Sequence, residues 1–469
     1  MFRSRVMTMI ALRRLTVSIL FAACVFAITQ TARAENALQF HPVENRLDAQ
    51  ITNWSLDELL AQIAAVTGWE IYVEPDAQRT VNARFHDLPV GQALGRLLGD
   101  LNYALLPRER APAKLFVFRT NAQEATRRIA PAASKKSSDK RIANELILTL
   151  KPGADADALA RSLRAKITGR INGQNAYRLQ LDDEAAAKAA RDDLANNNLV
   201  AGIDDNYSIE HPIAAEPLAA SSALPFSLKP TASTDSSRLI VGLIDTAMQR
   251  LDPAYDAFLL KALSVGSDFT PQSSTPEHGS SMAETILRGL AIASEDHGNS
   301  SPVRILPVDV YGPNENTSTF DVAWGISKAI ENGATIINLS LGSSGDSKIL
   351  QTVIQNARDQ GVIFFAAAGN TPTTAPTYPA AYPEVTAVTA GDKRGNLAYY
   401  ANYGGFVDVV GPGTSIVTFN GKAYMVVGTS SATAFMSGMA AGLANTTHRT
   451  PAQVESKIRT TFSFKPPAK

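Results

Sequence analysis

The C-terminal half of the chain contains unbroken apolar runs, which are typical of strands buried on both faces of a parallel sheet. Helical periodicity covers residues 349–360, and two further helical stripes begin at His278 and just after Ser430. Buried strands that alternate with helices predict an α/β domain over residues 238–465, with a mostly parallel sheet between layers of helices. The apolar runs are residues 238–246, 334–342 and 362–370.

Residues 38–119 mix strand and helix patterns and predict a small α+β domain. Ser55 and Glu58 form a capping box in front of a helical stripe, and Gly68 ends that helix. A second helix is predicted to begin near Pro89. The predicted strands are residues 69–73, 81–85, 103–106 and 115–118.

Residues 144–212 predict a second small α+β domain by the same criteria. Its last strand is predicted near Val200 to Ile203 or near Ser208 to Ile209, and the pattern leaves both alternatives open. The predicted helices are residues 158–165 and 184–195, and the earlier strands are residues 145–150 and 177–181.

Two segments between these domains are rich in Ala, Ser and Pro, and the first is also basic. They are residues 120–143 and residues 213–237. Such compositions bury too little apolar surface to order a chain, so both segments are predicted to be linkers.

The N-terminus has the pattern of a signal peptide. Arginines precede an apolar run at residues 15–28, and Ala32-Arg33-Ala34 supplies small residues for cleavage after Ala34. We therefore expect residues 1–34 to be a signal peptide and the chain to be exported. An uncleaved membrane anchor, a twin-arginine signal at Arg13-Arg14 and a lipid anchor at Cys24 are the alternatives.

Composition excludes some chemistry and some partners. Cys24 is the only cysteine, so cleavage after Ala34 leaves a mature chain without disulfides, thiol chemistry or cysteine metal ligands. Lys and Arg number 44, as do Asp and Glu, so nothing favours nucleic acid or an anionic membrane surface as a partner. The 45% hydrophobic and 19% charged content is typical of globular domains.

Four polar residues stand at the ends of the apolar elements. Asp245 ends the first buried strand, His278 begins a helix, and Asn370 follows the third apolar run. Ser430 lies in a tight turn between a strand and a helix, where free backbone N–H groups would stabilise an anion. A carboxylate, an imidazole and a hydroxyl are the groups that activate a serine nucleophile.

From Leu239 to about Phe464 the chain resembles the subtilisin-like serine proteases, the subtilases. The resemblance rests on Asp245-Thr246, His278-Gly279-Ser280, Ala367-Ala368-Gly369-Asn370 and Gly428-Thr429-Ser430 followed by Ser431-Ala432-Thr433. It implies a subtilisin-like three-layer fold and a catalytic triad of Asp245, His278 and Ser430, with Asn370 in the oxyanion hole. It also implies substrate-binding segments at Ser340, Leu341, Gly342, Ala367, Ala368 and Gly369.

Some positions depart from the subtilase pattern. Thr377 replaces the glycine that usually precedes Tyr-Pro in the loop at the base of the substrate pocket, so small or medium apolar side chains should fit best. Ala247 replaces a glycine and is expected to strain the backbone if φ is positive there. Ala434 replaces a proline, and Gly411 replaces an alanine.

His297 also precedes a glycine, but its polar surroundings predict a surface loop. Subtilases often bind structural calcium, yet no metal site or cofactor can be assigned here.

The two upstream domains also have resemblances. Residues 38–119 resemble the short N-terminal domain of secretins and TonB-dependent receptors, which implies a periplasmic protein partner. Residues 144–212 resemble subtilase propeptides, with an adaptor domain as the alternative. His41 and His86 are isolated in the sequence and are predicted to be surface or structural residues.

These patterns together predict an exported serine endopeptidase, periplasmic or secreted, that is made as a precursor and cuts protein or peptide substrates. Residues 213–237 are the expected region of maturation cleavage. The alternative is a non-catalytic or weakly catalytic docking partner of an envelope secretion or receptor system.

Overall fold

The computed structural model describes residues 37–41, 45–75, 77–106, 113–121, 124–129, 140–212, 215–222, 227–231, 239–295, 298–392, 394–398 and 400–465. The chain divides into two compact units, residues 1–133 and 134–469. The predicted signal peptide, with Cys24, and His297 lie outside the described residues. Among the helices that the structure describes, none combines the length and apolar content needed to cross a bilayer.

The described residues of the first unit form two sheets and two helices. The antiparallel sheet has strand order β1-β2-β4, and the mixed sheet has the order β5-β6-β3-β7. The predicted capping box is confirmed, because Glu58 N donates to Ser55 Oγ at 3.2 Å and Ser55 N donates to Glu58 Oε2 at 2.7 Å. The elements are β1 Ala37–His41, β2 Arg46–Ser55, α1 Leu56–Thr67, β3 Glu70–Val73, β4 Thr80–Pro89, α2 Val90–Leu98, β5 Asn102–Leu106, β6 Lys114–Phe118 and β7 Arg127–Ile129.

The strand β7 corrects the prediction that residues 120–143 form a linker throughout. Arg127–Ile129 pairs antiparallel with β3, and the Arg127 guanidinium binds Asp57 of α1 at 2.7 and 2.9 Å. Its backbone hydrogen bonds come from a neighbouring strand that is distant in sequence. Local composition therefore gives no sign of this strand.

His41 and His86 are isolated in the sequence, but the structure brings both of them to Asp48. His41 Nε2 lies 3.1 Å from one Asp48 oxygen, and His86 Nδ1 lies 2.9 Å from the other. The antiparallel pairing of β2 with its two neighbours brings residues from three strands to one point. Such pairing cannot be read from three separate positions in a sequence.

The second unit begins with an antiparallel sheet over residues 141–210. Its strands belong to a five-stranded sheet of order β18-β11-β8-β10-β9, in which β18 (Asn316–Ser318) comes from the domain that follows. The two alternatives for the last strand are both parts of one strand, since β11 runs over Val200–Glu210 with register shifts that interrupt its pattern. The elements are β8 Arg141–Leu150, α3 Ala156–Ser162, β9 Lys166–Ile171, β10 Ala176–Gln180, α4 Glu184–Leu194 and β11 Val200–Glu210.

The rest of the second unit is a three-layer α/β domain around a seven-stranded parallel sheet, as predicted. Its order is β15-β17-β14-β19-β20-β21-β22, and a three-stranded sheet β12-β24-β23 lies beside it. The strands are β12 Glu216–Ser222, β13 Lys229–Pro230, β14 Ile240–Asp245, β15 Leu263–Ser264, β16 Ser300–Ser301, β17 Arg304–Asp309, β18 Asn316–Ser318, β19 Ile336–Leu339, β20 Ile363–Ala367, β21 Thr386–Gly391, β22 Val409–Pro412, β23 Thr414–Phe419 and β24 Lys422–Val427. The helices are α5 Pro253–Asp256, α6 His278–Ser294, α7 Thr319–Glu331, α8 Lys348–Asp359, α9 Thr429–Thr447 and α10 Pro451–Thr461.

The central strands are buried on both faces, and successive side chains enter different cores. Val241 and Leu243 of β14 join the core formed with α6 and α9, whereas Ile240 and Ile244 join the core formed with α7 and α8. This burial on both faces accounts for the unbroken apolar runs in the sequence.

The predicted linker 213–237 contains two strands, which is a second correction to the predicted linkers. Glu216–Ser222 pairs antiparallel with β24, and Lys229–Pro230 pairs parallel with β16. Ala215 and Leu228 are buried in the core around α6 and α9. As with β7, the backbone partners are distant in sequence and leave no local hydrophobic pattern.

Candidate active site

Asp245 and His278 form a buried pair at the C-terminal end of the parallel sheet. His278 Nδ1 lies 2.8 Å from Asp245 Oδ1 and 3.0 Å from Oδ2, and the two side chains are 4% and 1% exposed. Asp245 Oδ1 also accepts from Thr246 N at 2.7 Å. A carboxylate at Nδ1 favours the tautomer with the proton on that atom, which leaves Nε2 free to accept a proton.

The start of α6 is held against the strand that carries Asp245. Gly279 N donates to Thr246 Oγ1 at 2.8 Å. A side chain at position 279 would place Cβ 2.4 Å from Thr246 O, so only glycine allows this approach. The His-Gly pair of the sequence therefore has a steric reason.

Ser430 is the second residue of α9, directly after Gly428-Thr429. Its Oγ donates to Ser340 O at 3.1 Å, and Ser340 Oγ donates to Ser430 O at 3.1 Å. In the structure the Ser430 hydroxyl thus bonds to the segment after β19 and not to His278. Hydrogen bonds of catalytic groups are often formed only when a substrate is bound.

The helices that carry His278 and Ser430 touch through their backbones. A Cβ on Gly438 of α9 would lie 1.9 Å from Ile286 O of α6, and a Cβ on Gly289 of α6 would lie 2.2 Å from Phe435 O. Their separation is therefore fixed by glycine contacts. Sequence reasoning missed these residues, although Gly438 and Gly442 have the four-residue spacing of glycines on one helix face.

Asn370 is attached to the start of the nucleophile helix. Its Oδ1 accepts from Thr429 N at 2.9 Å and from Thr429 Oγ1 at 3.0 Å. Gly369 N donates to Thr429 Oγ1 at 3.1 Å. Because the amide oxygen is occupied by Thr429, the amide nitrogen is left to donate elsewhere.

The predicted substrate-binding segments lie at the ends of two central strands. Ser340 to Gly342 follow β19, and Ala367 is the last residue of β20. Ser343 pairs with Tyr378 through backbone bonds of 2.9 and 2.8 Å, which brings the loop of Thr377 against the first segment. Their role in binding substrate stays a prediction.

The departures from the subtilase pattern have different structural consequences. Ala247 is buried and does not belong to the described residues with positive φ, so the expected backbone strain is absent. Gly411 lies against α9, where an added Cβ would be 3.0 Å from both Ala432 O and Met436 Cγ. Ala434 is fully buried in the core.

Asp309 is a second carboxylate beside Asp245, and sequence reasoning missed it. The two residues are paired in register on β17 and β14. Asp309 Oδ1 accepts from Tyr311 N at 2.9 Å and Gly312 N at 2.8 Å, whereas the buried Oδ2 has no hydrogen-bond partner within the described part of the chain. Burial raises the pKa of Asp309, and the Asp245 charge raises it further.

Asp309→Asn is expected to stabilise the protein at alkaline pH. A carboxyl whose pKa is raised on folding stabilises the fold below its unfolded pKa, and this contribution is lost as pH rises through the folded pKa. Asparagine removes the charge beside Asp245 and keeps an oxygen for Tyr311 and Gly312. We expect the melting temperature to rise by about 2–4 °C at pH 8, corresponding to about 1 kcal/mol. The difference should vanish near pH 4. Asp268→Asn, at an exposed position, is the matched control, and a less stable Asp309→Asn at pH 8 would contradict the assignment.

Metal ligation is not evident in the described residues, which contain no group of three or more His, Cys, Asp or Glu side chains arranged to hold a metal ion.

Comparisons with known proteins match residues 127–467. The model of the subtilase family matches residues 199–467, and the model of the fervidolysin N-terminal prodomain matches residues 127–204. The chain is 33% identical over 228 residues to thermitase of Thermoactinomyces vulgaris, covering 47% of this chain and 80% of thermitase. It is 36% identical over 214 residues to the thermophilic serine proteinase of Bacillus sp. (strain AK1), covering 45% of this chain and 53% of that protein. The chain thus spans about half the length of this last relative.

The solved structures agree on the fold. Fervidolysin from Fervidobacterium pennivorans, a keratinolytic enzyme related to subtilisin, superposes with a TM-score of 0.53 at 19% identity, over 67% of this chain and 56% of that chain. At this identity the likeness concerns the fold alone. With the family model covering more than half of the chain and a curated relative matched over most of its length, the chain belongs to the subtilase family, with a prodomain of the fervidolysin type ahead of the subtilase domain.

Proposed function

We propose that the chain is a serine endopeptidase whose triad is Asp245, His278 and Ser430. The observation that supports this most directly is the buried contact between Asp245 and His278 Nδ1, on a helix packed backbone to backbone against the helix of Ser430. In this mechanism His278 Nε2 takes the Ser430 proton as Oγ attacks the scissile carbonyl carbon, and Asp245 stabilises the resulting imidazolium. His278 then gives the proton to the leaving amine, and water hydrolyses the acyl-enzyme.

For this reaction the Ser430 hydroxyl must break its hydrogen bond to Ser340 O. Rotation of its side chain would redirect the hydroxyl from that carbonyl toward His278. The negative charge on the substrate oxygen would be stabilised by Asn370 Nδ2 and by the Ser430 backbone N–H at the helix N-terminus. Ser340 to Gly342 and Ala367 to Gly369 would bind the substrate backbone and wall the pocket for the residue before the scissile bond.

A fluorophosphonate probe tests this function directly. The probe phosphonylates an activated serine and ignores ordinary hydroxyls, so mass spectrometry should find the adduct on the peptide that contains Ser430. Labelling should fall when His278 is replaced by alanine. An unlabelled chain that also hydrolyses no peptide would refute the proposal and favour the alternative, a docking partner of an envelope system.

We propose that the prodomain docks on the subtilase domain through two helix N-termini. Asp204 Oδ2 accepts from Ser347 Oγ and Ile349 N at the start of α8, both at 3.0 Å. Asn206 Oδ1 accepts from Thr319 Oγ1 and Phe320 N at the start of α7, both at 3.1 Å. These bonds satisfy N–H groups that a helix leaves unpaired, and the Asp204 charge also matches the helix dipole.

Two further contacts extend this interface. The sheet of the prodomain continues into the subtilase domain, since β11 pairs with β18. Arg178 Nη1 binds Asp321 Oδ2 of α7 at 2.7 Å. The prodomain therefore contacts the subtilase domain through several complementary groups, as an inhibitor or a folding template would.

Asp204→Ala is expected to release the prodomain sooner after self-processing. Losing a charged helix cap should shorten the lag between chain cleavage and full peptide hydrolysis by about fivefold to tenfold. Gel electrophoresis gives the time of chain cleavage, and a chromogenic peptide gives the time at which full hydrolysis is reached. Asp193→Ala removes the same charge from an exposed position in α4 and should keep the wild-type lag. Equal lags in all three proteins would contradict this docking role.

We propose that the enzyme is made as an exported precursor, with a signal peptide at residues 1–34 and maturation within residues 213–237. The domain at residues 38–119 would bind a protein of the cell envelope, in keeping with its resemblance to the short N-terminal domains of secretins and TonB-dependent receptors. Residues 216–222 pair with the strand that leads to Ser430, so cleavage ahead of them would leave that sheet complete. Sequencing the N-terminus of the mature protein tests the cleavage position.

A further inference from the structure

Asn402 is a buried polar residue in the loop after β21, and no step of the proposed mechanism uses it. Its side chain is 3% exposed. Nδ2 donates to Ala368 O at 2.7 Å, and Oδ1 accepts from Thr371 N at 3.0 Å. A carbonyl must face the amide nitrogen and an N–H must face the amide oxygen, so these partners determine the orientation of the amide.

These bonds span the segment that carries Asn370. Ala368 precedes Gly369-Asn370, Thr371 follows them, and Asn402 N donates to Gly369 O at 3.0 Å. The backbone of Asn402 is itself anchored, because Thr389 Oγ1 of β21 donates to its carbonyl at 2.6 Å. Asn402 therefore ties the Asn370 loop to the central sheet on both sides of Asn370.

The same amide nitrogen also holds Thr377. Asn402 Nδ2 lies 3.1 Å from Thr377 Oγ1. Since Oγ1 and Cγ2 share one Cβ, fixing the hydroxyl also fixes the methyl group. The Thr377 methyl faces Gly342, where an added Cβ would lie 2.9 Å from Cγ2. The hydroxyl faces Gly369, where an added Cβ would lie 3.3 Å from Oγ1.

Thr377 thus lies between the two glycines of the predicted pocket walls. We infer that Asn402 is a positioning residue that holds the Asn370 loop for catalysis and locks the Thr377 methyl across the base of the substrate pocket. With the Thr377 methyl group held in this position, the pocket selects peptides with a small residue, such as alanine, before the scissile bond. This inference rests on the proposed endopeptidase function.

The test compares otherwise identical tetrapeptide p-nitroanilides with Ala, Leu or Phe before the anilide. Each enzyme is matured from the full chain, and active sites are counted with the fluorophosphonate probe. Wild type should prefer Ala. Asn402→Ala frees the Thr377 side chain and loosens the Asn370 loop. We expect its kcat on the Ala substrate to fall about tenfold and the Leu-to-Ala ratio of kcat/KM to rise about tenfold, as for the loss of a buried hydrogen bond.

Thr377→Val separates the two effects. Valine keeps a branched side chain of the same shape and lacks the hydroxyl that Asn402 holds. In the Thr377→Val background, Asn402→Ala should no longer change the Leu-to-Ala ratio, but it should still lower kcat through Ala368 and Thr371. A double-mutant cycle isolates this coupling. The matched control is Asn396→Ala, which removes an amide bonded to Asp392 in an exposed turn and should leave the ratio unchanged.

Asn402→Asp keeps the size of the side chain and the oxygen that accepts from Thr371 N. It replaces Asn402→Ala in the test if the alanine variant does not fold. It replaces the donor that faces Ala368 O and should show the same fall in kcat. The inference is overturned if the folded variants keep kcat and the Leu-to-Ala ratio within about twofold of wild type, or if the ratio changes equally in both Thr377 backgrounds. Wild type that hydrolyses none of the peptides would instead refute the endopeptidase function itself.

Discussion

Ser430→Ala is expected to lower kcat for peptide hydrolysis by roughly 10⁶-fold and to leave the precursor uncut. The loss is this large because no covalent intermediate can form once Oγ is absent, and His278 alone has no proton to take from the enzyme. The variant should still hydrolyse peptides roughly 10³–10⁴ times faster than water does without an enzyme, because the oxyanion donors and substrate binding remain. Steady-state kinetics and the intact mass of the exported protein measure both outcomes.

Ser431→Ala is the matched control for this variant. Ser431 is the next residue on the same helix and is fully buried, and its Oγ has no hydrogen-bond partner among the described residues. Removing this hydroxyl should leave hydrolysis and processing close to wild type. Cleavage of the Ser430→Ala precursor would show that processing is carried out by another protease. Undiminished hydrolysis by the purified variant would rule out Ser430 as the nucleophile.

Asn370→Leu is expected to lower kcat by about 10²–10³ with little change in KM. The Asn370 amide oxygen is held by Thr429, which leaves the nitrogen to stabilise charge that develops only in the transition state. A donor of this kind acts on kcat because it contributes little to binding of the ground state. The measurement is kcat and KM on one peptide anilide across a range of substrate concentrations.

Asn370→Asp distinguishes the donor from the structural role of the side chain. Aspartate can still accept from Thr429 N and Oγ1, but it offers no N–H to the substrate oxygen and adds a negative charge beside it. Its kcat should therefore fall at least as far as that of the leucine variant. A loss below about fivefold in both variants would exclude Asn370 from the oxyanion hole.

The layered architecture could be predicted because its driving force is local and repetitive. Strands buried on both faces must be apolar throughout, and residues 238–246, 334–342 and 362–370 display this without reference to any partner. The capping box at Ser55 and Glu58 was equally readable, since its two members lie three residues apart. The candidate triad residues stood out because each ends or begins such an element.

Other features depend on partners that are far apart in the chain. The segment 216–222 has the composition of a linker, yet it is a strand because β24 supplies backbone hydrogen bonds to it. Asp204 belongs to no sequence motif, yet it binds the start of α8 more than 140 residues later. Asn402 and Asp309 are single polar residues without a motif, so burial and neighbours alone distinguish them.

Consecutive positions were sufficient to predict the family, the strands β14, β19 and β20, the helices α6, α8 and α9 and the four residues that we propose for catalysis, because periodic burial and short motifs are local. The strands β15, β17, β21 and β22 and the helix α7 were not predicted. Three other features became evident from the folded arrangement alone: the contact of α6 with α9 through Gly289 and Gly438, the docking of the prodomain, and the hydrogen bond from Asn402 to Thr377. These depend on distances between segments, which arise when the sheet brings its strand ends to one edge.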